Sequence, residues 1–188
     1  MSHPVRSGRP RLRVLLSGGD RRSLARSGQA LRLVHSAPER IATLAALAQD
    51  EDWLVSMRAL DLLEKFAHSH PRWVAPYRRL LLGKLAESDQ WEVHLQIVRA
   101  LPLFEWTPGE YARAVSILRR DLHHPRTFVR AWALDGLATF AVRDEDLRPL
   151  VEQALEEFES SGSKALFARA RHIRERVGRW ANEEAARS

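Results

Sequence analysis

From residue 50 the chain reads DEDWLVSMRALDLLEKF, with apolar residues at helical spacing, and the same skeleton returns in SDQWEVHLQIVRALPLF (88–104) and HPRTFVRAWALDGLATF (124–140). The polar residues in front of each copy differ, so what recurs is a packing pattern. Taking Val55, Val93, Val129 and Ala165 as equivalent, the offsets are 38, 36 and 36 residues. Further apolar matches fall five positions on, at Leu60, Val98, Leu134 and Ala170, and eight on, at Leu63, Leu101, Leu137 and Ile173. Eleven on, Phe66, Phe104 and Phe140 agree and Arg176 departs, while Leu47, Leu85, Leu122 and Leu155 each close the helix before. No segment alternates with period two. The pattern predicts an all-α fold, a right-handed α-solenoid of about four helix pairs behind an N-terminal capping helix, in which each pair buries its apolar face against its neighbours.

Breakers separate the helices: HSAP (35–38), HSHP (68–71), EWTP (105–108), HHP (123–125), VRDED (142–146) and SSGS (160–163). Thr107, Pro108 and Glu110 have the spacing of a capping box. Gly162 closes one helix and Ser163 opens the next. Asp20 is placed to cap a helix RRSLARSGQALRLV ending at Val34. The organisation expected is a basic flexible arm over 1–19, one domain over 20–182 with repeats near 38–67, 73–104, 107–141 and 144–178, and a flexible tail over 183–188. In the arm only Val14, Leu15 and Leu16 are read as available to bury; this triplet has the option of docking on the open face of the first helix pair and capping the solenoid, but RLRVLL is expected to be weakly held, so removing residues 1–12 is expected to leave thermal stability nearly unchanged, whereas cutting to residue 36 lowers it.

Composition narrows the chemistry. The 188 residues include no cysteine, which excludes disulfide scaffolds, thiolate metal sites and a cysteine nucleophile. Apolar runs are too short to span a bilayer, no signal-peptide core follows Met1, and the expected location is cytoplasmic, with no membrane partner. The net charge of +6 is uneven: residues 1–38 carry eight Arg against Asp20, a balance of +7, so the other 150 residues sum to −1. Such a segment suits nucleic-acid phosphates before a transit segment, and most simply reads as a solvated, Arg-biased tail. With 27 Arg to 3 Lys along the whole chain, single arginines are weak pointers.

An acid or Pro before the second helix, the following Val and the Ala/Leu ladder (Asp52, Val55, Ala59, Leu60; Asp89, Val93, Val98; Pro125, Val129, Arg130, Ala133, Leu134) resemble HEAT repeats over 38 to about 178. SGGDRRS with SMRALDLLEKF also resembles a group of small bacterial HEAT-repeat proteins. Arg130 matches the family's usual Arg after the Val, whereas Ser56, His94 and Leu166 depart from it. The resemblance implies a concave face, built from the second helices, that binds partners. Expected there are Arg58, Asp61, His94, Gln96, Arg99, Arg130, Trp132 and Asp135. Within that set, Asp61, Arg99 and Asp135 form with Arg171 a row of alternating sign, either a ladder of ion pairs or part of a mixed-charge groove.

Asp52 is read as a helix cap rather than as part of a carboxylate site with Asp50 and Glu51, since the other junctions carry no equivalent acids. His68, His70, His123 and His124 lack metal-site spacing, and neither GxSxG nor a P-loop occurs. Arg21 and Arg22 beside SGGD are candidate phosphate contacts. No catalytic set and no cofactor is expected. The leading expectation is a non-enzymatic scaffold that binds a protein partner. The alternative is nucleic-acid binding through the Arg-rich segment, in which the likeness to HEAT-like alkylpurine DNA glycosylases stops at architecture. A lyase or pigment-handling role comes third, with no motif for it.

Overall fold

The computed structural model of the chain describes residues 8–20 and 26–185. Every described element is helical: α1 (Gly8–Leu16), α2 (Ser27–His35), α3 (Ile41–Leu47), α4 (Trp53–Ser69), the single turn α5 (Pro71–Val74), α6 (Trp91–Ala100), α7 (Pro108–Asp121), α8 (Thr127–Phe140), α9 (Arg148–Ser160) and α10 (Lys164–Ala185). The fold class is all-α. Among the described residues no helix is long and apolar enough to cross a membrane. The sequence reads as one domain over 20–182, but the chain divides into two compact units, 1–104 and 105–188. The division falls where Phe104 leaves helical geometry for an extended backbone, directly before the EWTP breaker.

In the first unit α4 is central, packed by α3 on one side and α6 on the other. Its apolar positions Val55, Ala59, Leu62 and Phe66 are buried at helical spacing. Asp52 caps it, its carboxylate accepting from the Leu54 amide at 3.0 Å, as its position predicts. The segment before α6 does not form a regular helix. Pro71 and Pro76 each remove a backbone donor, and after α5 the chain continues as two 3-10 segments, Ala75–Leu82 and Lys84–Glu87, on either side of Gly83.

The N-terminal segment departs from the expected flexible arm. Residues 8–16 form α1, which packs on α3 and α4 with Leu12 and Leu16 fully buried and Leu15 nearly so. Leu12 shares one apolar helix face with Leu15 and Leu16, so removing residues 1–12 would take a fully buried leucine from the core. Beyond α1 the chain turns on Gly18 and Gly19, at φ 78° and 73°, a left-handed backbone that glycine adopts without a Cβ penalty. The described part of the next helix is Ser27–His35, and residues 21–25, with the expected helix start and Arg21 and Arg22, lie outside the described residues.

What holds that turn is Arg58. It is 1% exposed, and its guanidinium donates to three carbonyls, of Leu16 at 2.6 Å, Gly18 at 2.8 Å and Asp20 at 2.9 Å. A cation at the C-terminal end of α1 also meets the negative end of that helix's dipole. Arg58 was expected on a partner-binding face; it is instead an interior residue, because the glycine turn brings the carbonyls to it.

In the second unit α7 packs on α8, and α8 and α9 each pack on α10. The Thr107–Glu110 capping box forms, with the Thr107 amide donating to the Glu110 carboxylate at 3.2 Å. Gly162 takes φ 71° after α9, and the Ser163 hydroxyl accepts from the Leu166 amide at 3.4 Å. Val129, Leu134, Leu137, Leu155, Phe158 and Ile173 form the core. The Tyr111 hydroxyl donates to Asp144 at 2.7 Å, and burial first, then this bond to a carboxylate, pushes its pKa up.

Arg58→Ala leaves three carbonyls of the α1 turn without their donor, so it is expected to lower stability by about 2–4 kcal/mol and to speed amide exchange across residues 12–20. Urea unfolding with hydrogen exchange measures both. A loss below about 0.5 kcal/mol with unchanged exchange would show that the turn stands without Arg58.

Candidate functional site

The position after the repeat Val is polar in three helix pairs, with different chemistry each time. The Ser56 hydroxyl donates to the Ala48 carbonyl at 2.6 Å, His94 Nε2 to the Ser88 carbonyl at 2.7 Å and Arg130 Nε to the Leu122 carbonyl at 2.9 Å. Ala48, Ser88 and Leu122 are each the C-cap residue of the helical segment before. A helix leaves its last carbonyls without internal donors, and one side chain from the following helix fills that need in each pair. Ser56 and His94 differ from Arg130 in chemistry and match it in this task. Because a carbonyl only accepts, His94 carries its proton on Nε2. His94 is therefore buried in a fixed role rather than displayed.

Within each unit, members of the alternating row have ion-pair partners outside the row. Within the first unit Arg99 pairs with Glu64 at 2.9 Å, while Asp61 takes Lys65 at 2.5 Å and lies 3.5 Å from the Gln96 amide. Glu64 is buried one turn beyond Asp61 and also meets His68 at 2.9 Å. Sequence reasoning missed Glu64, since it sits inside an apolar run. Within the second unit Asp135 is held by Arg169 and Arg176, both at 2.6 Å, and Arg169 lies 4.1 Å over the Trp132 ring. Arg169 and Arg176 are seven residues apart and share a helix face, whereas Arg171 is turned away and exposed. Of the eight residues expected on a partner-binding face, Arg58, His94, Gln96 and Asp135 are buried, and Asp61, Arg99, Arg130 and Trp132 are half-buried in these internal contacts.

An open concavity of the first unit lies elsewhere. A groove of about 980 Å³ runs between α3 and the two 3-10 segments. Ala42, Ala45 and Ala46 form one wall, and Tyr77, Leu80, Lys84 and Leu85 the other. Asp50, Glu51 and Trp53, from the α3–α4 junction, also line it. On that second wall Pro76 and Gly83 interrupt the helical backbone, which runs as short 3-10 pieces. These two residues were the available signal, in a stretch whose apolar spacing alone reads as helix.

The acids of the opening motif have separate tasks there. Asp52 caps α4. Asp50 is engaged by Arg13 of α1 through two bonds, 2.9 Å and 3.0 Å, and accepts from the Asp52 amide at 3.1 Å. Glu51 is exposed on the groove's rim. Among the described residues no group of three His, Asp or Glu side chains is arranged to hold a metal ion. His70 stacks on Trp73 at 4.0 Å and 21°, and His35 of α2 lies edge-on to His70 at 5.4 Å.

No protein-family model and no curated protein matches the chain. Among solved structures it is similar to the crystal structure of an engineered protein from the Northeast Structural Genomics Consortium. The TM-score is 0.63 at 20% sequence identity, over 91% of this chain and 79% of that one. At that identity the likeness concerns the fold alone.

The Arg13–Asp50 pair gives the groove's end a pH dependence. Hydrogen bonding from Arg13 holds the Asp50 carboxyl below its usual range, against burial, which pushes it up. A depressed carboxylate pKa contributes stability above the unfolded value of about 3.9, and that contribution is lost as pH falls through the lower folded value. Asp50→Asn should therefore reduce stability at pH 7 and leave a smaller difference from the parent at about pH 2–3. Thermal unfolding across that range measures it, and an equal loss at both pH values would mean that the pair's charge is not the cause.

Proposed function

We propose that this chain is a non-enzymatic HEAT-like helical-repeat module, a right-handed α-solenoid of about four helix pairs behind N-terminal capping helices, that binds a protein partner. The repeat architecture is supported by the spacing of the helix pairs and by the shared bond of Ser56, His94 and Arg130 to the end of the helix before. Partner binding rests on one observation, the open groove of about 980 Å³ with aromatic, aliphatic and charged residues side by side. This reading moves the binding surface from the second-helix row to the groove, because polar groups of that row are engaged by carbonyls and by other side chains of their own unit.

The chain's three lysines make this testable. Lys84 lines the groove, Lys65 lies on α4 paired with Asp61, and Lys164 opens α10. Amine-reactive cross-linking of the protein with a partner captured from the native cell should place the links at Lys84. Links confined to Lys65 or Lys164 would put the surface elsewhere, and failure to retain any protein specifically would count against the module itself.

A second reading, nucleic-acid binding, is favoured by the exposure of Arg9, Arg11, Arg26 and Arg32. Phosphate contacts by these four side chains predict that log K against duplex DNA falls with log salt at a slope of roughly −3 to −4. No binding at about 50 mM salt, read by fluorescence anisotropy, ends this reading.

A further inference from the structure

Glu64 has a need that its ion pairs leave unmet. Its side chain is 1% exposed, and Oε1 takes both of its partners, Arg99 and His68, at 2.9 Å each. Among the described residues Oε2 is buried without a hydrogen-bond donor, which is costly for a carboxylate oxygen away from bulk water. Glu64 also lines a small cavity between α4, the 3-10 segment Ala75–Leu82 and α6. The cavity offers about 10 Å³ to a water-sized sphere, close to what one water needs. Its polar side chains are Glu64, Arg78 and Tyr77, and the rest of its lining is apolar, Leu63, Val74 and Leu81 included.

We infer that this cavity holds one water as a fixed part of the fold, donating to Glu64 Oε2 and shared with the 3-10 segment. On that segment Arg78 supplies donors and Tyr77 a hydroxyl that both donates and accepts, which gives the water the several polar partners a buried site requires. The size excludes an organic group. Charge selects water over a small cation of similar size, because Arg99 already matches the Glu64 carboxylate, and what Oε2 lacks is a neutral donor. Tyr77 and Leu80 line both this cavity and the groove beside α3, so the water sits behind the groove's wall and joins that wall to α4.

A high-resolution crystal structure of the full chain, with oxygen-17 relaxation dispersion in solution, tests it. One density peak should lie about 3 Å from Glu64 Oε2. The solution measurement should count a long-lived water that Val74→Ile removes, since this substitution adds one methyl group to the cavity's apolar wall. The sign of the stability change separates a wet cavity from a dry one. A displaced water leaves Oε2 without its donor, so Val74→Ile should lower Tm by about 3 °C or more. In a dry apolar cavity the same methyl fills space, and an unchanged or raised Tm would overturn the proposal. In the Glu64→Leu background, which removes the acceptor, the methyl should no longer lower Tm. An equal loss in both backgrounds makes overpacking the cause and sinks the idea. So does a parent protein with neither the peak nor the long-lived water, and those two measurements decide the matter even where a variant fails to fold. A peak that takes up rubidium on soaking would make a cation the occupant and overturn the assignment of water.

Discussion

An α-helix ends with carbonyls that have no amide partner within the helix, and a chain built of short helices meets this demand at every junction. Here side chains from elsewhere in the same unit often supply the donor. Arg26 donates to the Val14 carbonyl, Arg40 to Leu33, Arg58 to Leu16 and the turn after it, and Arg130 to Leu122. Ser56 and His94 do the same with shorter side chains. The guanidinium suits this task because it stays charged and presents several donors in a fixed plane, so a single arginine can gather three carbonyls, as Arg58 does. The excess of Arg over Lys thus has a partial structural account.

The same demand decides which polar residues remain for binding. A guanidinium committed to carbonyls inside the fold is not displayed, and a carboxylate committed to a neighbouring arginine has little charge to offer a ligand. Arg58 and Asp50 illustrate the two cases. Both belong to motifs that read as surface features, and both hold α1, Arg58 from its C-terminal end and Asp50 through Arg13. The groove beside α3 carries Glu51 and Lys84 as exposed charged residues, in contrast to these two groups.

The groove exists because one helical segment is imperfect. Pro71, Pro76 and Gly83 deny the stretch before α6 a continuous ladder of backbone bonds, and 3-10 pieces pack less closely against a neighbouring helix than an α-helix with a full apolar stripe does. An irregularity of backbone is thereby converted into surface, without any single residue marking the place as functional.

Local chemistry was legible in the sequence wherever it acts within a few residues. The helical period, the all-α class, the Asp52 cap, the Thr107–Glu110 box and the Gly162–Ser163 junction each depend on neighbours in the chain, so their spacing alone determines them. Residues that act across long separations were not legible. Arg58 lies 42 residues from Leu16 and Arg13 lies 37 from Asp50. A lone Arg in an Arg-rich chain carries no mark of its partner. Whether it faces solvent or a set of carbonyls depends on which segments the packing brings together, and only the tertiary structure sets that. The same holds for α1: three leucines in a basic segment cannot offset the entropy of ordering by themselves, and they become part of the core only because α3 and α4 present a surface to cover them.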